Sequence, residues 1–272
     1  MRPFGTTSIG GVLVAALMGA AVASTTGGCA TAKPVDREVE TPAERVLVEG
    51  IRKYRRKQYS AAVEAFNKVR EKYPYSRFVA EAELKLADTK YTQEEYSSAV
   101  SRYRSFIELH PDHEKVPYAR FRIAQALYQQ RPKSPFFMPP IYERDLASTR
   151  RAAKAYRRFL DAFPESKYAD RAEKKLRELR HDLANHELYV AEFYFESNHP
   201  RGAAMRARYL LNHYKGLGFD AKALFLLARS NLQLDRRKRA LDALQDLVEF
   251  HPDTKFARRA KRYLKRYADD RG

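Results

Sequence analysis

The chain has 272 residues, with 52 Lys or Arg against 34 Asp or Glu, so its formal net charge is +18. Hydrophobic residues make up 44% of it, which is typical of a folded protein and excludes a disordered one. The positive field favours anionic partners. However, the sequence contains no zinc-finger spacing and no RNA-recognition signature, so nucleic acid is not expected as a partner. A single cysteine excludes an internal disulfide.

The N-terminal segment has the pattern of a secretory signal. It carries one charge, Arg2, then an apolar run from Ile9 to Ala23 and small polar residues up to Cys29. This pattern predicts a lipoprotein signal peptide over residues 1–28 and a lipidated Cys29 that anchors the chain in a membrane. The alternative is cleavage near Ala23, which would leave Cys29 as an idle thiol.

The folded part is expected to begin just after a short tether. Residues 29–43 are polar, contain two prolines and have no apolar period, so they are predicted to form a flexible, lipidated linker. Thr41 can cap a helix, Pro42 suits its first position and Glu44 can complete a capping box.

An internal repeat runs through the rest of the chain. In each copy a small residue is followed twelve positions later by Pro or, once, by Lys. The five pairs are Ala62/Pro74, Ala99/Pro111, Ala152/Pro164, Ala203/Lys215 and Ala240/Pro252. A large apolar residue lies seven positions after each Ala: Val69, Phe106, Phe159, Leu210 and Leu247. Repeats of this kind indicate a stacked architecture and a surface for partners.

The spacing within each copy predicts a helix–turn–helix unit. Small and large residues at helical spacing form an apolar stripe, and Pro ends the helix about one turn later. Small residues let helices approach closely, and stacked pairs bury one another's faces. The pattern resembles the tetratricopeptide repeat. This resemblance implies an all-α, right-handed α-solenoid of about five helix pairs, with repeats 1–2 over residues 44–130 and repeats 3–5 over residues 149–272.

Two segments lengthen the spacing between copies. Residues 131–148 hold four prolines in ten residues and are predicted to form an insertion loop. Its apolar residues (Phe136, Phe137, Met138, Ile141 and Tyr142) are expected to fold back onto the helices; the alternative is an exposed lip for a partner. Residues 166–198 contain no Pro or Gly and keep a helical period, which predicts one long helix or two nearly continuous ones.

Several motifs narrow the family. The order of elements, with HPDHEKVPYA at 110–119, Arg144-Asp145, FPESKYA at 163–169 and ELYVAEFY at 187–194, is similar to the BamD family of outer-membrane assembly lipoproteins. This resemblance covers nearly the whole chain after the signal. It implies a non-catalytic scaffold on the periplasmic side of the outer membrane, within the machinery that inserts β-barrel proteins.

The resemblance also implies partners. The C-terminal repeats would bind the barrel-forming subunit, accessory lipoproteins would join the complex, and the N-terminal repeats would receive unfolded outer-membrane proteins. Arg206 matches the family's docking arginine, and it is expected to be exposed, so that Arg206→Glu would weaken docking without unfolding the chain. The other candidate partner-binding residues are Glu187, Tyr194, Arg144 and Asp145. Glu187 and Tyr194 could instead pack the helix pair.

Aromatic residues recur at helical spacing in the N-terminal half. Tyr54, Tyr91, Tyr118 and Phe121 are candidate substrate-binding residues, because a strand ending in an aromatic residue would find apolar pockets there and a Lys or Arg for its terminal carboxylate. Most aromatic residues of this half are expected to be core.

The C-terminal segment is strongly basic. Seven cations cover much of it: Lys255, Arg258, Arg259, Lys261, Arg262, Lys265 and Arg266. This face is either a solvated cap of the solenoid or a site for anionic lipid or acidic proteins, and the sequence leaves both open.

Catalysis has little support in the sequence. The histidines form no His-Glu-x-x-His pair and no Gly-rich phosphate loop occurs, so neither a metal nor a cofactor is expected. Two alternatives to the assembly role remain. One is a different cell-envelope tetratricopeptide lipoprotein that binds peptidoglycan or division proteins. The other is an envelope enzyme, which would need a buried polar cluster.

Overall fold

A computed structural model of the chain describes residues 41–131 and 140–269, and in these ranges the regular structure is helical. The signal peptide, Cys29, most of the tether and residues 132–139 of the insertion lie outside the described residues. The described helices are α1 (Pro42–Arg55), α2 (Tyr59–Lys72), α3 (Val79–Thr92), α4 (Tyr96–Leu109), α5 (Val116–Gln129), α6 (Ala147–Ala162), α7 (Ala169–Glu196), α8 (Pro200–His213), α9 (Asp220–Gln233), α10 (Arg237–Phe250) and α11 (Lys255–Asp269). A short 3₁₀ turn, Ile141–Glu143, precedes α6.

The first helix begins where its capping residues predict. The Oγ1 atom of Thr41 accepts a hydrogen bond from the backbone N–H of Glu44 at 3.2 Å, and Pro42 occupies the first turn. α1 therefore starts at Pro42, so residues 42 and 43 belong to the helix rather than to the predicted tether. Capping chemistry locates this terminus because the Thr41 side chain satisfies a backbone N–H that has no partner within the helix.

The five repeat motifs form the core as the sequence predicts. All five repeat alanines are completely buried: Ala62, Ala99, Ala152, Ala203 and Ala240. The large residues seven positions later are at most 1% exposed: Val69, Phe106, Phe159, Leu210 and Leu247. The alternation of small and large side chains thus builds one continuous helical stack, and the predicted all-α solenoid is confirmed.

The helices are arranged in two rows. Each helix packs against its neighbours in sequence. Odd-numbered helices also contact one another, at α1–α3, α7–α9 and α9–α11. The odd-numbered helices therefore line one side of the stack and the even-numbered helices line the other, as in tetratricopeptide repeats.

The long spacing before the fourth repeat is one uninterrupted helix. α7 runs for 28 residues from Ala169 to Glu196, about 42 Å at the usual rise per residue. The sequence left open one helix or two, and the structure shows one. Its N-terminal half packs in the core cluster of α5 and α6, and its C-terminal half in the cluster of α8 and α9.

The end of the insertion packs against α7. The Nδ1 atom of His186 lies 2.6 Å from the backbone O of Tyr142, and the Tyr142 ring is 5.7 Å from the Tyr189 ring. Leu146 is 1% exposed. The predicted folding back holds for Tyr142, whereas Phe136, Phe137, Met138 and the side chain of Ile141 fall outside the described part. No described helix is long and apolar enough to cross a bilayer.

Candidate interaction surfaces

A buried carboxylate ties three helices together in the N-terminal half. Asp88 of α3 is 4% exposed. Its Oδ1 atom accepts hydrogen bonds from the hydroxyls of Tyr103 at 2.6 Å and Tyr118 at 2.7 Å. Arg122 donates from Nε to the Tyr103 hydroxyl at 3.1 Å, and its guanidinium lies 3.6 Å from the centre of the Tyr91 ring. These contacts satisfy a charge that would otherwise be costly to bury.

Burial raises the pKa of several tyrosine hydroxyls. Burial raises the pKa of the Tyr103 and Tyr118 hydroxyls well above their ordinary value, and the negative charge of Asp88 raises each pKa further. Burial likewise raises the pKa of Tyr156 and, to about 12, that of Tyr214. All four hydroxyls therefore stay protonated at neutral pH. We interpret the Asp88 cluster as structural, since every contact joins neighbouring helices.

A cleft of about 830 Å³ opens beside this network. Three successive turns between repeats form it, those joining α2 to α3, α4 to α5 and α6 to α7. Its aromatic lining is Phe78, Tyr118 and Tyr168, and its cationic lining includes Lys115 and Lys167. The Nζ atom of Lys167 lies 5.4 Å from the centre of the Tyr168 ring. Aromatic and cationic side chains therefore line one opening, together with the acidic residues Glu81 and Glu114.

The four aromatic candidates have different environments. Tyr118 lines the cleft. Tyr54 bonds the Thr92 hydroxyl at 2.7 Å, and Tyr91 lies beneath Arg122, so both link neighbouring helices. Phe121 is only 2% exposed and stacks on Tyr168 with ring centres 4.9 Å apart. The expectation of a direct substrate contact from Phe121 is therefore corrected, because its ring is enclosed in the core.

The structure brings Arg206 and Glu187 together. The NH1 atom of Arg206 on α8 donates to Oε2 of Glu187 on α7 at 3.0 Å. The Glu187 side chain is 5% exposed and that of Arg206 is 44% exposed. Arg206 is thus half-exposed and already paired, which corrects the expectation that a charge reversal there would leave the fold untouched. The buried Glu187 side chain is directed towards α8 and is not available to a partner protein.

The remaining partner-binding candidates have local structural contacts. Tyr194 packs where α8 passes closely, since a Cβ atom added at Gly202 would lie 3.0 Å from its ring. Asp145 accepts a hydrogen bond at Oδ1 from the backbone N–H of Ala147 at 3.0 Å, at the start of α6. Arg144, beside it, is half-buried. Tyr194 and the Arg206–Glu187 pair both join α7 to α8, whereas Arg144 and Asp145 belong to the insertion.

Two large apolar side chains of α7 and α8 are exposed, and neither was among the partner-binding residues predicted from the sequence. Met205 is 74% exposed and Phe193 is 57% exposed. Met205 shares an indentation of α8 with Arg201 and Tyr209. In the aligned second repeat, the position of Met205 is occupied by Ser101, a polar surface residue. That comparison between repeats is the sequence signal that could have found Met205. We call Phe193, Met205, Arg206 and Tyr209 the α7–α8 surface.

The last helix caps the stack. Its alanines Ala257 and Ala260 are completely buried against α9 and α10, whereas Arg258, Lys261 and Lys265 are exposed. The apolar face of α11 therefore packs into the stack, and its basic face is exposed. Within residues 41–131 and 140–269, no group of His, Cys, Asp and Glu side chains could hold a metal ion.

Comparison with known proteins assigns the family. The family model described as "YfiO: Outer membrane lipoprotein" matches residues 40–241, which run from α1 into α10. The chain belongs to this family. Membership assigns it to a non-catalytic class of protein, so the sequence-based exclusion of an enzyme is confirmed.

Several relatives carry the name outer membrane protein assembly factor BamD. The protein from Xylella fastidiosa strain 9a5c is 32% identical over 113 residues, covering 42% of this chain and 39% of that protein. The one from Neisseria gonorrhoeae is 28% identical over 114 residues, covering 42% and 43%. The Rickettsia prowazekii protein is 25% identical over 241 residues, covering 89% and 92%. The first two matches therefore span less than half of those relatives.

Solved structures with similar helical repeats also match. The TPR2AB domain of yeast Sti1 is 18% identical, with 84% of this chain and 86% of that chain covered and a TM-score of 0.41. A TPR repeats protein from Bacteroides fragilis is 12% identical, with 84% and 99% covered and a TM-score of 0.44.

The raised pKa of Tyr156 predicts loss of stability at alkaline pH. Above pH 10 the unfolded chain releases this proton while the folded chain keeps it, so the stabilisation is present below pH 10 and is lost as the pH rises. Tyr156→Phe removes this linkage. Between pH 9 and pH 11, we expect the free energy of unfolding of the wild type to fall by about 1.4 kcal/mol more than that of the variant. Urea unfolding at both pH values measures these free energies. An equal fall in the wild type and the variant would contradict the prediction.

The Arg206–Glu187 pair predicts a cost for charge reversal. Arg206→Glu would place two carboxylates together, one of them buried, so we expect it to lower the free energy of unfolding by about 2 kcal/mol. The cost should stay below that of a fully buried pair because water screens Arg206. Thermal melting measures it. Adding Glu187→Gln should recover much of the loss, and an unchanged melting curve for Arg206→Glu alone would refute the coupling.

Proposed function

We propose that this protein is a scaffold lipoprotein of the machinery that assembles β-barrel proteins in the outer membrane. The observation that carries the proposal is the family match over residues 40–241, which takes in most of the helical stack. The BamD names of the relatives support the same role. A stack with exposed apolar and charged surfaces is suited to holding partners rather than to chemistry.

The proposed location is the periplasmic side of the outer membrane, with acyl chains on Cys29 as the anchor. The signal-like sequence before Cys29 and the family description support this placement. The intact mass of the protein purified from membranes reports the anchor. A mass without acyl chains, with cleavage near Ala23, would overturn it.

The barrel-forming subunit is proposed to dock on the α7–α8 surface. Large apolar side chains and Arg are favoured at interface hot spots, and this surface combines Phe193 and Met205 with a half-exposed arginine. Glu187 uses one donor of Arg206, and the guanidinium has others to offer a partner carboxylate. The buried acid therefore orients the arginine.

Docking can be tested without disturbing the ion pair. Met205→Glu places a charge in the proposed interface, and because Met205 is 74% exposed we expect the melting temperature to be unchanged. The barrel-forming subunit copurified from envelopes in mild detergent should fall at least about tenfold, the effect of losing about 1.4 kcal/mol or more. Leu109→Glu, at an exposed leucine of α4, is the matched control.

The outcomes separate the docking surface from the function. Equal recovery with Met205→Glu and wild type would refute the α7–α8 surface. If wild-type protein instead recovers only peptidoglycan or division proteins, the assembly role itself is refuted and the other class of envelope lipoprotein is favoured.

Unfolded outer-membrane proteins are proposed to bind in the cleft that extends from the N-terminal repeats to the turn between α6 and α7 of the third repeat. Tyr118 and Tyr168 offer aromatic contacts, and exposed Lys167 offers charge to a terminal carboxylate, whereas Lys115 is paired with Glu114 at 2.8 Å. These are the two features that a strand ending in an aromatic residue requires.

A labelled peptide ending in phenylalanine with a free carboxylate tests the cleft. Lys167→Ala should weaken its binding about fivefold by fluorescence anisotropy, the effect of losing about 1 kcal/mol of charge interaction. Lys238→Ala, at an exposed lysine of α10, should leave it unchanged. Equal binding of the amidated peptide would overturn the role given to the carboxylate.

A further inference from the structure

A second groove lies on the other side of the stack, between α4 and α6. Helix α5 forms its floor, and its volume is about 600 Å³. The floor is apolar, with Ile123 and Leu127 from α5, and Phe159 closes it from α6. Neither the proposed docking surface nor the proposed substrate cleft includes these residues.

Five cations line this groove, and three of them lie on its α6 rim. Arg104 of α4, Arg120 of α5 and a stripe of Arg151, Lys154 and Arg158 on α6 line it. The three α6 residues have the spacing that places side chains on one helix face. All five cations are exposed, and within the described part of the chain none has an ion-pair partner. The one acidic residue in the lining is Glu108.

Comparison with an equivalent groove of the same chain shows that this positive charge is particular to the α4–α6 groove. The groove between α8 and α10, floored by α9, has the equivalent position in the C-terminal half and a volume of about 420 Å³. When α6 and α10 are aligned on the repeat alanines Ala152 and Ala240, Lys154 corresponds to Asp242 and Arg158 to Asp246. The lining of the second groove is balanced in charge, with Arg208, Lys215 and Arg239 against Asp220, Asp242 and Asp246.

Packing therefore does not require cations at these positions, since the same helix face accepts aspartates in α10. The net charge of the chain does not explain them either, because two equivalent grooves of one molecule differ. An apolar floor bordered by three cations of α6, with Arg104 and Arg120 beside it, is complementary to a segment whose apolar stripe is flanked by carboxylates.

We propose that the α4–α6 groove binds an acidic amphipathic segment of a partner protein. The segment's apolar side chains pack on Ile123 and Leu127, and its carboxylates pair with the arginines and lysine of the rims. The stretch of α4 that lines the groove, Ser97 to Glu108, is about 17 Å long, which suits three turns of helix. A bilayer presents its phosphates as a flat layer with the apolar part behind them, so it would reach the rims but not the floor.

A designed peptide tests the proposal. We would use the full chain expressed without its signal and carrying Cys29→Ser, with a labelled 14-residue helical peptide that has a leucine stripe flanked by four glutamates. Its ends are acetylated and amidated. Fluorescence anisotropy should show binding that weakens as salt rises. The peptide with every glutamate changed to glutamine should bind at least about tenfold more weakly, the effect of losing about 1.4 kcal/mol.

Residues taken from the aligned positions of α10 provide a variant of the α6 rim. Lys154→Asp/Arg158→Asp introduces the residues that α10 carries at the same positions, and the affinity should fall at least about tenfold. Lys261→Asp/Lys265→Asp changes the net charge equally on the exposed face of α11 and should leave the affinity within about twofold. If the first pair lowers the melting temperature, Lys154→Gln/Arg158→Gln serves in its place.

Three results would overturn the proposal. An equal loss with the α11 pair would mean that the overall field attracts the peptide. Equal binding of the glutamate and glutamine peptides would mean that apolar contacts alone hold the peptide and that the cations play no part. Binding to vesicles with one third phosphatidylglycerol that depends on Lys154 and Arg158, without binding of the acidic peptide, would assign the groove to a lipid surface.

Discussion

Close packing at the repeat alanines is the constraint on which the structure depends. Each of these alanines is completely buried, so any larger side chain there would have to displace a neighbouring helix. The large residue seven positions later fills the space two turns along the same face. Because this unit recurs five times, helices stack without a separate central core. The resulting fold has long grooves, and its outer positions are free to vary in charge.

Because the outer positions can vary, the N-terminal and C-terminal halves differ in their outward-facing residues. The inward face of each even-numbered helix repeats with little change, whereas the outward faces diverge. Met205 takes the place that Ser101 has in α4, and Asp242 takes the place that Lys154 has in α6. A stack of repeats can therefore carry distinct surfaces for distinct partners, which suits a scaffold.

Two of the three buried carboxylates in the described residues, Asp88 and Glu187, join helices. Asp88 receives two tyrosine hydroxyls from different helices, and Glu187 receives Arg206. A buried carboxylate without such partners would be costly, so each pair fixes how its helices are aligned. The Glu187 pair links this structural role to the proposed docking role, because the acid that is buried orients the arginine that is half-exposed.

The sequence by itself determined the helix pairs, the start of the folded part at Thr41 and the family, because capping, proline boundaries and small–large spacing act within one or two turns. It did not decide which polar and aromatic residues are exposed. Phe121 has the same helical spacing as Tyr118, yet it is enclosed by Tyr168 from a helix nearly fifty residues away. Only the tertiary structure paired Arg206 with Glu187 and brought Arg104 and Arg158 to one groove, because such contacts join helices whose relative positions local spacing does not encode.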